Sequence, residues 1–562
     1  MAKLQVNQDP AKTAWGGTFE NQTYSFYVHP SWITKTTDVV TLTGYSSSSE
    51  IIDGPISVPV QMNLRRGVME APVEEQDLAG VIQAAVAAGK DTVYLKPASE
   101  VLYLVGEQGV NSLPKDVAVN LIGAKDTQNK PLSRVEMKYV DTSDVSAKYM
   151  VSFKPESKNI SIEGIHFDLA QNGRGGLYFE HVNTIRIQNC QFGGYSYLRG
   201  HYREDSNIML KGCQNVWIED TLFLDNKGNN DDNELNRCVT IQESDPHSPI
   251  SENIYIRRNQ FSSVCQGVVL STQRLTNFQA HQNTFERIGD NAFYALQLKR
   301  GTFTENRFFN LKDEAFVFSA PPKYLEKYGL DVLRDSVFNV IGNQLMNTAV
   351  KGIGINGPIG ELAILGNQIQ NNYDTPHNRP AVLSTRPNCD DQVTQLLLMA
   401  GNSCDIDTFA YENGELRGWD VFPLGHAQHI QIKENRFLVE GLLSFQKMFS
   451  FTGGMRATKK DETEAGYDPY HYVRSEPYAI DTLIFMRNII DGREGGSPDA
   501  EAQLVSGQQS RFINKDQNPK ENKWWNVDIT TFVIGGPGFP GKPFQNVGEG
   551  NNGPDYTYRT YY

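Results

Sequence analysis

Apolar residues in the middle of this chain recur in a fixed phrase: an apolar residue, a few spacers, Asn, one variable residue and a large apolar side chain. The clearest copies end at Phe192, Phe261, Phe285, Phe308, Leu345, Ile369 and Phe437. Consecutive copies lie as little as 23 to 25 residues apart, for example 24 from Phe261 to Phe285. Because a unit of this length is too short to bury its own apolar face, neighbouring copies are predicted to stack on one another.

A second short apolar run follows each phrase after about eight residues. These runs are rich in β-branched and aromatic residues and are bounded by Asn, Gly and Asp, which is typical of strands: Gly267–Leu270, Ala292–Leu296, Ala315–Phe318 and Gly352–Ile355. We expect the Asn of each phrase to adopt the left-handed backbone that a sharp corner requires. Strands joined by corners at this period predict an all-β chain, a right-handed parallel β-helix. Longer intervals, such as the 38 residues from Phe223 to Phe261, predict loops inserted at the corners.

An amphipathic helix is predicted at the start of the solenoid. Its apolar residues share one face: Leu78, Val81, Ile82, Ala85 and Val86. Gly89 ends this helix, and Thr92–Leu95 resumes as a strand. A helix in this place covers the apolar core that the first coil would otherwise expose.

The helix and strand segments Asp77–Gly89, Thr92–Pro97 and Leu102–Leu104 together resemble the capping segment of the pectate-lyase-like β-helix superfamily. Within that superfamily the chain is most similar to bacteriophage tailspike proteins that depolymerise host polysaccharides. The resemblance covers residues 74–495 and implies the fold. It only suggests a function, because the superfamily includes hydrolases, lyases, epimerases and inactive structural members.

The chain divides by pattern into three segments. Residues 1–72 lack the repeat and are predicted to hold strands at Thr37–Thr43 and Ile51–Val60. The tailspike resemblance implies that such a segment attaches the protein to a phage particle. Residues 73–495 form the cap helix and the β-helix. Residues 496–562 are rich in Gly, Pro and aromatic residues, which favours subunit packing in a homotrimer, with a linker as the alternative.

Composition excludes some function classes. The 562 residues include 52 Lys and Arg against 66 Asp and Glu, a formal net charge of −14, which argues against a nucleic-acid partner. No apolar run approaches the ~18 residues of a membrane span. The N-terminus lacks the apolar core of a secretory signal, which favours a virion tail protein made in the host cytoplasm over a secreted enzyme. A trimmed chain would look the same.

The cysteines and histidines do not predict a zinc site. The sequence contains neither a CxxC pair nor an HExxH motif, and no cofactor is expected. Four cysteines lie in or beside the strand phrases and are predicted to face the core: Cys190, Cys213, Cys238 and Cys265.

Candidate catalytic carboxylates come from two adjacent repeats that align without gaps. Aligning Phe285–Phe293 with Phe308–Phe316 places Asp290 over Asp313 and Asn291 over Glu314, with Gln266 in the preceding coil. Equivalent residues of stacked coils lie roughly 4.8 Å apart. Two carboxylates about 5 Å apart match the nucleophile and acid/base of a retaining glycosidase, and their repulsion would keep one protonated. The alternative is that these residues cap turns by bonding to nearby backbone.

Further candidate binding residues lie around the same coils. Tyr294 and Trp419 are candidates for stacking on sugar rings, and packing is the plainer alternative for each. An acidic stretch, Asp225 to Glu234, would suit Ca²⁺ if the protein is a lyase, and a solvated acidic loop is the plainer alternative. A lyase also needs a base and charges that neutralise uronates. The candidates for these groups are His247, Lys299 and Arg300, and Glu243, which follows the acidic stretch, is a further candidate substrate-binding residue.

The sequence therefore predicts a homotrimeric tailspike-like protein that binds a bacterial surface polysaccharide and cleaves it by hydrolysis, with Asp290 and either Asp313 or Glu314 as catalytic residues. One alternative is a structural or adhesive spike that binds glycan without cutting it. A second alternative is a cellular polysaccharide lyase.

Overall fold

The computed structural model divides into two compact units, residues 1–73 and 74–562, and each is described by itself. The described residues are 2–6, 13–16, 18–20, 23–25, 39–45, 51–59, 74–106, 112–138, 149–170, 175–194, 206–224, 237–243, 249–271, 275–296, 298–319, 336–348, 351–356, 359–371, 381–386, 394–407, 411–412, 415–416, 422–424, 427–440, 447–450, 455–456, 473–474, 479–480, 482–486, 488–492, 503–506, 511–512, 523–525, 531–532 and 557–558.

The first unit contains an antiparallel four-stranded sheet. In spatial order its strands are Thr13–Gly16, Ala2–Val6, Val39–Tyr45 and Ile51–Pro59. A hairpin of Thr18–Glu20 and Thr23–Ser25 lies in the same unit. The two strands predicted from the sequence are both present, within two residues of their expected ends.

Three long parallel sheets form the second unit. Sheet 1 has 13 strands: Thr92–Leu95, Asn120–Gly123, Lys158–Glu163, Asn183–Gln188, Gln214–Glu219, Glu252–Arg257, Phe278–His281, Arg300–Thr304, Val337–Ile341, Glu361–Leu365, Thr394–Ala400, Ala427–Lys433 and Thr482–Met486. Sheet 2 has 15 strands: Glu74–Asp77, Val101–Val105, Ser133–Met137, Ile165–Asp168, Gln191–Gly193, Leu222–Leu224, Gln260–Ser262, Thr284–Glu286, Arg307–Leu311, Gln344–Thr348, Gln368–Asn371, Ser403–Asp407, Arg436–Glu440, Ile489–Gly492 and Lys523–Trp525. Sheet 3 has nine strands: Tyr149–Ser152, Gly175–Glu180, Ser206–Lys211, Arg237–Gln242, Gln266–Ser271, Phe293–Leu296, Phe316–Ser319, Lys351–Asn356 and Ala381–Arg386.

Smaller sheets accompany the later coils. A five-stranded sheet contains Phe422–Pro423, Lys447–Ser450, Gln503–Ser506, Thr531–Phe532 and Thr557–Tyr558. Two-stranded pairs are Tyr411–Glu412 with Glu415–Leu416, Met455–Arg456 with Val473–Arg474, and Ala479–Ile480 with Arg511–Phe512. Sheet 2 thus continues past residue 495, because Lys523–Trp525 adds to Ile489–Gly492 without the Asn phrase that marks earlier coils. The predicted roles of the terminal segments stay predictions.

The strand register confirms the predicted right-handed parallel β-helix. Phe261 pairs with Phe285, and Phe285 pairs with Phe308, as the repeat intervals require. The final apolar residues of successive phrases form a stack of parallel rings inside the solenoid, with centroids 4.4 Å apart for Phe261 and Phe285 and 5.2 Å for Phe285 and Phe308. Alternation along each strand is plain as well, since Ile185 and Ile187 are buried while Arg186 between them is exposed. The four cysteines predicted to face the core are buried.

The Asn of the repeated phrase has a different role from the one expected. The left-handed residue is the one before it, for example Gln282 with φ 55° and Glu305 with φ 55°. The Asn side chain itself points inward and is fully buried, and it joins a ladder that runs through eight coils: Asn259, Asn283, Asn306, Asn343, Asn367, Asn402, Asn435 and Asn488. The expected left-handed Asn does occur in the copy that ends at Phe192, where Asn189 has φ 53° and Cys190 is the buried residue after it. It also occurs at another corner, before the inward residues of sheet 1, at Asn215 and Asn253.

Helix α1, Leu78–Ala87, caps the first coil as predicted. Leu78 and Ile82 are buried, and Val81 and Ala85 pack against the core. Val86, expected on the same face, is 53% exposed, because the buried stripe is narrower and includes Ala79 instead. Gly89 has φ 69° and follows the helix as its left-handed cap. Among the described residues, no helix has the length and apolarity to cross a membrane.

Asp77→Ala is expected to lower the free energy of unfolding by about 1–2 kcal/mol. The Asp77 carboxylate accepts hydrogen bonds from the Gly80 backbone N–H at 2.9 Å and from the Ser112 N–H at 3.1 Å, and both donors would lose their partner. Denaturant unfolding followed by circular dichroism measures the loss. Glu75→Ala, an exposed acidic residue on the preceding strand, is the control, and an equal loss there would refute the capping role.

Candidate active site

Polar residues line the edge of sheet 3 where its strands begin. Arg237 pairs directly with Gln266 in the strand register. Asn291 and Glu314 continue the line at the same edge in the next two coils. The Gly267 N–H donates to the Asn291 carbonyl at 3.1 Å, and the Ala292 N–H donates to the Glu314 carbonyl at 3.2 Å. The register of Phe293 with Phe316 then places Asp290 at the level of Asp313, as the gap-free alignment predicted.

The three predicted catalytic carboxyl groups form one cluster. Asp290 is 8% exposed and Glu314 is 6% exposed, while Asp313 is half-buried. Asp313 makes side-chain hydrogen bonds with both Glu314 and Asp290. The groups are therefore closer than the ~5–5.5 Å of a retaining pair. This close approach requires a proton, because two ionised carboxylates at hydrogen-bond distance repel each other.

Asp313 is the group that holds this proton. Burial raises the pKa of Asp313 to about 10, helped by the hydrogen bond and negative charge of Glu314 and then by those of Asp290. Asp313 therefore remains a neutral acid across the whole neutral pH range. The sequence predicted that one carboxyl of the set would be protonated, and the structure assigns that role to Asp313.

Asp290 accepts hydrogen bonds from side-chain amides. Asn291 Nδ2 donates to Asp290 Oδ1 at 2.8 Å, and Gln266 Nε2 donates to Asp290 Oδ2. The Gln266 Oε1 atom in turn accepts from Arg237 Nε at 3.2 Å. These contacts link side chains across three coils, which is unlike a carboxylate that caps its own turn.

Arg237 was not found from the sequence. The interval of 38 residues from Phe223 to Phe261 contains an insertion, so the coil that holds Arg237 cannot be aligned by counting. The only available signal was its place at the start of an apolar strand, the position that Gln266 takes one coil later.

Glu314 reaches toward the outer face of sheet 3. An added Cβ at Gly354, which faces outward between buried Ile353 and Ile355, would lie 3.4 Å from Glu314 Oε1. Tyr294 belongs to the same outward column, because it pairs with Val317 and Val317 pairs with Gly354. The half-buried Tyr294 ring is thus on the face toward which Glu314 extends.

Asn291 supplies a polar atom that its neighbours leave unsatisfied. Its side chain is 8% exposed, and its Oδ1 atom has no hydrogen-bond partner among the described residues. A buried acceptor without a partner is rare and costs free energy, roughly 1–3 kcal/mol. A hydroxyl group brought by a ligand would satisfy this acceptor.

The other predicted binding residues lie away from the cluster. Glu243 follows the strand Arg237–Gln242, and the half-buried Lys299 and exposed Arg300 follow Phe293–Leu296, so all three lie beyond the opposite edge of sheet 3. His247, Trp419 and the acidic stretch from Asp225 to Glu234 lie outside the described residues. In the part of the chain that the structure describes, no group of three or more His, Cys, Asp or Glu is arranged to hold a metal ion.

One family model matches the first part of the chain in sequence. Residues 1–61 match the model of a bacterial Ig domain, which lies within the first unit and contains its antiparallel sheet. No curated protein matches the chain in sequence.

Solved structures similar to this chain are parallel β-helix proteins. The A-module of the mannuronan C-5 epimerase AlgE6 of Azotobacter vinelandii aligns over 78% of this chain and 96% of its own, with 13% identity and a TM-score of 0.41. The tailspike protein of the E. coli bacteriophage HK620 aligns over 82% and 67%, with 10% identity and a TM-score of 0.34. The surface adhesin PfbA of Streptococcus pneumoniae aligns over 78% and 89%, with 12% identity and a TM-score of 0.34. The assignment of the fold rests on the strand register.

Proposed function

We propose that this protein binds a bacterial surface polysaccharide, capsule or lipopolysaccharide, and hydrolyses its glycosidic bonds at Asp290, Asp313 and Glu314. The observation that carries the proposal is the half-buried Asp313 carboxyl group, which hydrogen-bonds both to Glu314 beside it and to Asp290 in the preceding coil. Glycoside hydrolysis needs one carboxyl group that gives a proton and another that accepts one. The edge of a long sheet also suits an extended polymer better than a small metabolite.

The chemistry assigns a role to each group. Asp290 accepts a proton from a water molecule as the water oxygen attacks the anomeric carbon. A bound sugar has to separate Asp290 from Asp313 for this step, because an acid and a base that activates water act from opposite faces of the sugar, ~6.5–9.5 Å apart. The glycosidic C–O bond breaks, and its oxygen takes the proton that Asp313 shares with Glu314. Exchange with solvent then returns a proton to the Asp313–Glu314 pair and removes one from Asp290. Asn291 Oδ1 is buried and would accept a hydrogen bond from a sugar hydroxyl once the same movement uncovers it. Tyr294 offers an aromatic surface on the same sheet.

Asp290→Asn and Asp313→Asn are each expected to reduce the rate of glycan cleavage by at least about 10²-fold, the range of a lost acid or base. Reducing-end release from a panel of capsular and lipopolysaccharide glycans measures the rate. Asp116→Asn, an exposed residue on another part of the solenoid, is the matched control. Circular dichroism checks that each variant keeps its β-helix.

The outcomes separate the three candidate functions. Cleavage that survives both substitutions would remove the cluster from the chemistry. Glycan binding without cleavage across the panel would favour an adhesive spike. Unsaturated products whose release depends on added Ca²⁺ would favour a lyase.

The finer proposals concern assembly. We propose a homotrimer carried on a phage tail, attached through residues 1–72 and made in the host cytoplasm; the tailspike resemblance of residues 74–495 supports this. Sedimentation of the full chain distinguishes a trimer from a monomer.

A further inference from the structure

The Asp290 carboxylate has a hydrogen-bond donor on each of its two oxygen atoms. Asn291 Nδ2 donates to Oδ1 at 2.8 Å, and Gln266 Nε2 donates to Oδ2 from the preceding coil. Hydrogen bonds to the charged form of an acid favour that form. Two amide donors therefore favour an ionised Asp290, the state that a base requires.

Arg237 fixes the direction in which the Gln266 amide points. A guanidinium can only donate, so the Gln266 atom that faces Arg237 Nε, at 3.2 Å, must be the accepting Oε1. The amide nitrogen then has to face Asp290, where it donates. With the amide reversed, the carbonyl oxygen of Gln266 would meet the carboxylate, and Arg237 would meet an amide donor. Arg237 thus determines which end of the Gln266 amide faces Asp290.

The two neighbouring carboxyl groups work against ionisation of Asp290 unless such donors are present. Asp313 contacts Asp290 directly, and Glu314 contacts Asp313. Lys351 occupies the backbone position equivalent to Glu314 one coil further on, since Phe316 pairs with Ile353. Three carboxyl groups share little space, and their relative affinity for protons decides which one is the acid and which the base.

We propose that Arg237 and Gln266 are positioning residues that keep Asp290 ionised and so hold the proton of the cluster on Asp313. The proposal rests on the proposed hydrolase function for its catalytic meaning, although the location of the proton can be tested without any substrate. The chain Arg237–Gln266–Asp290 spans three successive coils, which makes Asp290 dependent on a residue two coils away from it and three coils away from Asp313.

Infrared titration of the full chain tests the proton location directly. Protonated carboxyl groups absorb separately from carboxylates, so the spectrum follows each group that remains protonated as the pH rises. The wild-type protein should keep one such group through neutral pH, and Asp313→Asn should remove it. In Gln266→Leu, a second carboxyl group, Asp290, should lose its proton at a pH about one to two units higher than in the wild type. The reason is that the ionised form of Asp290 has lost one hydrogen bond.

Two further variants separate positioning from simple structural damage. Arg237→Met should shift the same titration in the same direction by less, because it frees the Gln266 amide without removing it. Arg237→Lys, which keeps a cationic donor, should return the titration toward that of the wild type. Gln344→Leu, at a half-buried Gln on sheet 2 that bonds to Gln368, is the matched control and should leave the titration unchanged.

The pH profile of glycan cleavage completes the test. On any glycan that the wild type cleaves, Gln266→Leu should move the acidic limb of the profile upward by about one to two pH units, since the base gains a proton more readily. An unchanged infrared titration in both Gln266→Leu and Arg237→Met overturns the positioning role. If the infrared shift occurs but no glycan is cleaved by the wild type, the positioning role stands and the proposed hydrolase function fails.

Discussion

Asp313→Asn is expected to stabilise the protein by about 2–4 kcal/mol near pH 7, although it removes a residue of the candidate active site. Folded Asp313 keeps its proton up to a pKa of about 10, whereas an unfolded Asp ionises near ~3.9. Between these values the folded state binds more protons than the unfolded state, so the wild type loses stability as the pH rises through that window. Asn has no proton to lose and does not suffer this loss.

The gain from Asp313→Asn should therefore depend on pH in a fixed direction. It should be small near pH 4, grow as the pH rises, and level off above about pH 10, where Asp313 ionises in both states. Denaturant midpoints followed by circular dichroism at about pH 5, 7 and 9 measure the trend. Asp116→Asn should show no such growth. A variant that is destabilised equally at every pH would contradict the assignment of the proton to Asp313.

Asn306→Ala is expected to destabilise the β-helix by roughly 3–5 kcal/mol, because several buried groups lose their partners at once. Asn306 Oδ1 accepts from the backbone N–H of Asn283 at 3.0 Å and from its Nδ2 at 2.9 Å. Asn306 Nδ2 donates to the Ala280 carbonyl at 3.0 Å and to Asn343 Oδ1 at 3.0 Å. All four bonds lie in the core, where no solvent replaces them.

The matched control for the ladder is Asn339→Ala. Asn339 is a half-buried residue on the outward side of sheet 1, where the same truncation should change the free energy of unfolding, measured by denaturant, by less than about 0.5 kcal/mol. Asn306→Asp adds a sharper test, because it preserves the shape of the side chain but replaces the amide nitrogen with an oxygen. That oxygen then faces two acceptors, the Ala280 carbonyl and Asn343 Oδ1. That variant should be more destabilised at neutral than at acidic pH, since only the protonated acid can donate. Equal effects of Asn306→Ala and Asn339→Ala would show that the ladder contributes little.

The strand register of this fold could be predicted from the sequence because adjacent coils impose a fixed spacing on large residues. Phe261, Phe285 and Phe308 stack as counted, and the same count placed Asp290 over Asp313. Counting succeeds only where no loop intervenes. Arg237 could not be placed by counting, because its coil contains an insertion.

The role of the repeated Asn could not be derived from period alone. A polar residue at a corner is explained equally well by a left-handed backbone at that residue or by a side chain that points inward. In the second case the left-handed residue is the one immediately before it. Gln282 takes the left-handed conformation and Asn283 turns inward. The close contact of the carboxyl groups was likewise beyond the sequence, because stacking distance does not reveal which group is protonated.

The ladder also affects which insertions and replacements the sequence can accept during evolution. Asn283 and Asn306 are 23 residues apart, and Asn306 and Asn343 are 37 apart, yet the amide contacts between them measure 2.9 and 3.0 Å. The hydrogen bonds between two coils therefore do not depend on how many residues separate the two Asn residues in the sequence. Segments at the corners can be exchanged, lengthened or replaced while the scaffold below them keeps the same bonds. In such an architecture the coils can stay the same while the loops on their surface diversify.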